Sequence, residues 1–319
     1  MISRLHAFFM VAFVAVCGLA GCSAINPTWH TRYGWKAEDY FTDSKVIALC
    51  RAIEADDLKE IDRLVADGAD VNAIGNGNMT PLLWAFPDDK ITRFQRLLER
   101  GANPNVVVSS DFNTKGNIHR GHSVTHLAAG STFAKHFHIV MQHGGDTKLR
   151  DSRLGRSLFH TVITSGVSDK KVRIQLLLGK GADVNQSDSG GFTPIMTAVS
   201  WGGQYDIALM LLEAGADVKL YCKGSNQKLV HVVAREERLH RSPSPERAAD
   251  YEALVQKLKE LGESVDEAKH DLDRWILRGK INEPKKAKEL RDAEVAERVA
   301  RERAKADKAV LLEGEKQEK

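Results

Sequence analysis

One recurring phrase limits what this chain can fold into. Gly68-Ala-Asp-Val-Asn72 returns as Gly101-Ala-Asn-Pro-Asn105, Gly144-Gly-Asp-Thr-Lys148, Gly181-Ala-Asp-Val-Asn185 and Gly215-Ala-Asp-Val-Lys219, with a weaker copy at Gly262-Glu-Ser-Val-Asp266. Successive glycines are 33, 43, 37, 34 and 47 residues apart. A repeat of this length means stacked supersecondary units, each burying its apolar face against its neighbours. Apolar residues spaced i, i+3, i+4 precede the glycines: Phe94, Leu97 and Leu98; Phe137, Val140 and Met141; Ile174, Leu177 and Leu178. That spacing gives one buried stripe on a helix. A residue able to take positive φ then closes the helix.

A second phrase opens the other helix of each unit. Thr80-Pro81-Leu82 and Thr193-Pro194-Ile195 combine a capping hydroxyl with a proline suited to the first turn. Ser123-Val-Thr-His126, Ser157-Leu-Phe-His160 and Lys228-Leu-Val-His231 are degenerate copies. Taken together, the two phrases resemble the ankyrin-repeat family from about Ser44 to Val265. The resemblance implies an all-α solenoid of about six helix-turn-helix units with finger loops, followed by a charged C-terminal helix. The expected divisions are a leader at 1–21, an aromatic-rich linker at 22–44, the repeats at 45–265 and a charged helical tail at 266–319. The first unit lacks the Thr-Pro phrase and the last is irregular, as terminal repeats with a polar outer face would be.

The leader differs from everything after it. Ala7 to Ala20 runs without a charge behind Arg4. Fourteen helical residues reach only about 21 Å, short of a hydrocarbon core of about 30 Å, so the run reads as a signal segment. It ends in Leu19-Ala20-Gly21-Cys22, which resembles a bacterial lipobox. That resemblance implies lipidation of Cys22 and, with Ser23 following, the periplasmic face of the outer membrane. Cys50 and Cys222 would sit about four stacking steps apart, too far for a disulfide.

Three segments fall outside the regular repeat. The linker carries Trp29, Tyr33, Trp35, Tyr40 and Phe41, which either fold back over the first unit or meet a partner or the lipid interface. Asn105 to His122 and Arg238 to Ala249 are insertions, and long loops in compact repeats are often functional. Residues 283–319 hold 11 basic and 10 acidic side chains without a sustained Leu heptad, and they read as a solvated helix.

The formal net charge of +3 gives no field that points to nucleic acid. No nucleophile elbow, phosphate loop or His-Glu-x-x-His segment is present, so no enzyme, cofactor or small-molecule substrate is expected. Six of the twelve histidines lie between His119 and His143; His136 and His138 are two apart, so on a helix they point in different directions, and neither is followed by a Glu or a second His at i+4. They read as structural and exposed histidines, and no metal is expected.

Ankyrin proteins bind through finger tips and the concave face of the first helices. Carried over by position, this implies Ile74, Asn76 and Met79 in one finger and Ser187, Ser189 and Phe192 in another. On the first helices it implies Thr164, Ser165, Ser200 and Trp201. Trp201 stands out because the family places small or polar residues there. Arg150, Arg153 and Arg156 form a basic finger suited to an acidic partner. The expected function is a lipid-anchored, protein-binding lipoprotein. Its most specific form is an immunity protein that neutralises a type VI secretion toxin such as a lipase. The alternatives are an envelope scaffold or an accessory factor of a periplasmic enzyme.

Overall fold

The computed structural model describes residues 29–112, 118–223, 225–239 and 245–317, excluding the side chains of 306–317. Cys22 and the leader lie outside these residues, as do the middles of both insertions. The described residues form helices and one isolated bridge, between Arg150 and Ser157. Six helix pairs follow two short N-terminal helices, α1 (Trp29–Tyr33) and α2 (Ala37–Tyr40). The pairs are α3 (Ser44–Glu54) with α4 (Leu58–Ala66), α5 (Pro81–Ala85) with α6 (Ile91–Glu99), and α7 (Val124–Gly130) with α8 (Ala134–Gln142). Then come α9 (Leu158–Thr164) with α10 (Lys170–Gly179), α11 (Pro194–Ser200) with α12 (Tyr205–Glu213), and α13 (Leu229–Arg238) with α14 (Pro245–Glu260). α15 (Val265–Leu277) and α16 (Pro284–Gln317) complete the chain. First helices pack on first helices, as in α7 on α9 on α11 on α13, and second helices form the other layer.

Local chemistry sets each boundary. Thr80 and Thr193 accept the Leu83 and Met196 N–H at 3.1 and 3.5 Å, capping α5 and α11. At the other end, the glycine of each phrase sits at φ between +74° and +93°. The next N–H reaches back to the third-last helical carbonyl, as in Ala69 to Leu64, Ala102 to Leu97, Ala182 to Leu177 and Ala216 to Leu211. This double closure satisfies carbonyls the helix leaves open and needs the left-handed conformation that glycine takes freely.

The rest of the phrase joins one unit to the next. Asp70, Asn103, Asp146, Asp183 and Asp217 each accept an N–H two residues on, fixing the turn. Asn72 Nδ2 donates to Gly101 O at 2.9 Å, while its Oδ1 accepts the Asn103 N–H at 2.7 Å. Asn105 clamps Gly144 and Asp146 in the same way, and Asn185 clamps Gly215 and Asp217. Buried arginines give a second joint. Arg93 donates to Ile53 O at 2.7 Å, and Arg173 donates to Ala128 O and Ala129 O at 2.9 and 3.0 Å.

The core runs the length of the stack, from Leu49 and Ile53 through Phe94, Phe137, Phe159 and Ile195 to Leu254 and Leu258, all at most 1% exposed. Cys50 and Cys222 are buried free thiols. The aromatic segment folds back over the first two units: Trp35 packs 5.6 Å from Trp84 and 5.8 Å from Phe112, and His30 donates to Trp84 O at 2.8 Å. Packing also continues past residue 265, where the phrase-based reading ended the repeats. α15 buries Ala268, Leu272 and Ile276, its Trp275 stacks on His231 at 4.9 Å, and the helix acts as a cap on α13. α16 then runs out as a charged helix with Ala287 as its buried contact among the described side chains.

Candidate protein-binding groove

Finger loops follow every second helix, and each tip rests on the next. Asn78 Nδ2 donates to Val107 O at 2.9 Å, Ser152 Oγ to Arg120 O at 3.2 Å, the Ser189 N–H to Leu154 O at 2.8 Å and the Lys223 N–H to Gly190 O at 2.7 Å. Ile74 (62% exposed), Val107 (38%), Leu154 (41%) and Tyr221 (58%) stand exposed on the first, second, third and fifth fingers. Exposed large apolar side chains on a rigid scaffold suit a macromolecular contact.

First helices together with the second and third fingers line a cavity of about 520 Å³. Its apolar wall is Trp29, Phe86, Pro87, Ile118, Leu127 and Phe133. Its polar side includes His122, His126, Asp151, Arg156, Thr161 and Thr164. The N-terminal helix, the long second finger and three units therefore converge here. The Asp151 carboxylate is engaged, accepting the N–H groups of Arg153, Leu154 and Arg156 at 2.7–3.0 Å.

Three histidines occupy the same place at the start of α7, α9 and α13. His160 Nδ1 accepts the Ser157 N–H at 3.2 Å, so the proton lies on Nε2, which donates to Phe192 O at 2.9 Å. His231 Nδ1 accepts the Lys228 N–H at 3.2 Å, and its Nε2 faces Asp271 Oδ2 at 3.4 Å. His126 Nδ1 lies 3.1 Å from Ser123 Oγ, which itself accepts the His126 N–H. Its Nε2, however, is buried and has no partner among the described residues. Burial, reinforced by nearby His122, lowers the His126 pKa to about 4 and keeps the ring neutral.

The residues expected from the sequence fall into two places. Thr164 lines the cavity, with its hydroxyl donating to His160 O at 2.8 Å. Ser165 is half-buried and donates to Val162 O at 2.7 Å. Ser200 and Trp201 instead border a shallower groove of about 490 Å³ with Lys170, Gln204 and Arg247. Trp201 is 53% exposed at the C-terminus of α11. Ile74 and Ser189 are exposed, and Ser187 and Phe192 are half-buried. Asn76 is exposed but tied to the N-terminal segment, donating to Asp39 O at 2.8 Å. Met79 needs correcting as a surface residue: it is wholly buried, because the chain turns inward there to deliver Thr80 as the cap of α5. Arg153 and Arg150 are both exposed, but Arg150 is committed to its own and the next finger, donating to Gly155 O at 2.9 Å and also to Ser187 O.

Phrase-based reasoning missed the apolar wall. Phe86-Pro87 and Phe133 lie at the ends of short first helices, and only the aromatic residues there hinted at a surface role. The histidine run suggests metal by its density and structural roles by its positions. Its members are in fact dispersed: His136 is buried among Phe86, Phe94 and Phe133, and His138 bonds Gln142 at 3.0 Å. No set of three or more His, Cys, Asp or Glu converges as a metal site among the described residues.

Residues 120–222 match the family model described as "Ankyrin repeats (3 copies)". Over those residues the chain carries ankyrin repeats. Palmitoyltransferase AKR1 of Lachancea kluyveri is 28% identical over 183 residues, which cover 56% of this chain and 23% of that protein. The chain spans about a quarter of the length of the curated relatives it matches. Among solved structures, the ankyrin repeat protein EF0377 aligns with a TM-score of 0.50 and 22% identity, covering 61% of this chain and 94% of that one. A chain of the complex between the Bd0816 predatory endopeptidase of Bdellovibrio bacteriovorus and immunity protein Bd3460 aligns with a TM-score of 0.49 and 22% identity, covering 65% and 97%. These likenesses to solved structures concern the fold alone.

Proposed function

We propose that this ankyrin domain binds a protein partner across its finger row and first-helix groove, and that it does so as a lipid-anchored, periplasm-facing lipoprotein. In its most specific form the reading is an immunity protein capping a type VI secretion toxin such as a lipase. The observation that carries the binding role is the cavity with an aromatic wall, together with the exposed Ile74, Val107, Leu154 and Tyr221 on the fingers. The anchor rests on the sequence Leu19-Ala20-Gly21-Cys22. Several acyl chains on Cys22 would hold the domain stably on a bilayer. No helix among the described residues is long and apolar enough to cross a membrane.

The test is whether a toxin gene lies beside this one and whether the chain binds its product and protects from it, with Trp201→Ala as the probe of the surface. Trp201 is largely exposed, so its loss should leave the melting temperature within a few degrees. As an anchor it should weaken affinity roughly 30- to 1,000-fold, read by calorimetry. A chain that neither binds the toxin nor protects a cell exporting it to the periplasm would end the immunity reading. The second reading, an envelope scaffold, draws on α16: its 34 residues reach about 51 Å as a charged rod.

A further inference from the structure

The three equivalent histidines differ in one respect that matters for recognition. His160 and His231 both carry the Nε2 proton and both give it to an acceptor within the fold. At His126, Ser123 Oγ accepts the backbone N–H; in the tautomer of the two equivalent rings its hydroxyl proton points to Nδ1 and the ring proton lies on Nε2. The acceptor equivalent to Phe192 O would be Arg156 O, and no hydrogen bond joins it to His126. An N–H buried without an acceptor is costly, and folded proteins rarely leave one.

The surroundings indicate what could supply the acceptor. His126 is 97% buried at the floor of the 520 Å³ cavity, under an apolar wall that includes Phe86, Leu127 and Phe133. Arg156 lines the same cavity half-buried, and its guanidinium has no ion pair among the described residues. The one carboxylate there, Asp151, is already held by three backbone N–H groups. The cavity therefore offers uncommitted donors and a greasy wall.

Building on the protein-binding reading above, we propose that this cavity is the specificity pocket of the domain. It receives a partner loop carrying an apolar side chain next to an acidic one. The apolar group lies on Phe86, Leu127 and Phe133, and the carboxylate accepts from Arg156 and from His126 Nε2. The half-buried side chains of His122 and Leu127 turn aside to admit it, a rotamer change common at interfaces. A neutral loop of the same shape leaves both donors unpaired and is rejected.

The probe is a phage-displayed library of disulfide-closed random heptapeptides, selected on the full chain. Enriched loops should pair Asp or Glu with a neighbouring aromatic or aliphatic residue. Their binding should fall at least tenfold on Arg156→Gln, on His126→Leu, and on Thr132→Trp, which fills the exposed rim without touching the floor. Arg156 and Thr132 are not core residues, so those two variants remain informative if His126→Leu fails to fold. Long-range 1H–15N spectra of the wild type should show His126 protonated at Nε2. Loops that bind all three variants as tightly as wild type, or a His126 protonated at Nδ1, would overturn the pocket while leaving protein binding through the fingers intact. A selection that enriches no loop would overturn the pocket and weaken the broader reading with it.

Discussion

Asn105 shows how much one side chain does in this stack. Its Nδ2 donates to Gly144 O at 2.8 Å, and its Oδ1 accepts both the Asp146 N–H at 2.9 Å and the Thr125 hydroxyl at 2.8 Å. Three hydrogen bonds crossing from the second unit to the third depend on one amide. Asn105→Ala should destabilise the domain by about 1–3 kcal/mol, measured by urea unfolding, because the opposing groups lose their partners in a half-buried joint. The recurrence of Asn in the phrase was legible in the sequence, but its purpose was not. A period shows that positions are equivalent, and only the fold shows that the amide reaches into the next period. Met79 illustrates the opposite error. Its position in the finger suggested exposure, yet the backbone turning into Thr80 buries it.

Among the elements, the second helices were readable because their i, i+3, i+4 stripes are long and end in glycine. α15 was harder. Its stripe Ala268, Leu272, Ile276 is present but sits among Asp266, Glu267, Asp271 and Asp273, and it follows the last glycine phrase. The charged neighbours suit a cap, whose outer face meets water. Two truncations should separate cap from tail. Removal of residues after Asn282 should move the melting temperature by a few degrees at most, since α16 buries little. Removal after Gly262 should lower it by roughly 10 °C or more, because it uncovers α13 and removes the stacking of Trp275 on His231. Equal effects from both cuts would contradict the role of α15. The aromatic segment posed a similar choice. Its five rings allowed either a fold-back or an outward contact, and composition alone cannot choose between them. The structure places Trp35 and Tyr40 on Trp84 and Phe112, with Trp29 packed on Tyr33 and Trp35 and also reaching the cavity.

Across the whole molecule, burial of histidine sets the response to acid. His30, His126, His136, His160 and His231 all have pKa values lowered chiefly by desolvation. In the unfolded chain they take up protons near pH 6.5, while in the folded chain they resist until lower pH. Stability from this source is therefore complete above about pH 6.5 and is lost as pH falls toward the folded values. His126 alone, lowered from 6.5 to about 4, accounts for on the order of 3 kcal/mol. Thermal melts from pH 7.5 to 4 should show a steady fall beginning near 6.5, partly relieved in His126→Gln. A flat profile across that range would contradict the burial of these rings.

The joints between units are not uniform. Lys148 and Lys219 stand where Asn72, Asn105 and Asn185 clamp the other joints. After Lys148 the loss is covered by Arg173, which ties the fourth unit to the third through Ala128 O and Ala129 O. After Lys219 the joint is made by α13 on α11, by α14 on α12 and by Arg247, which donates to Gly202 O from an exposed position. The last joint therefore rests on helix packing and an exposed guanidinium, where the earlier ones add a half-buried amide or a buried arginine to their packing.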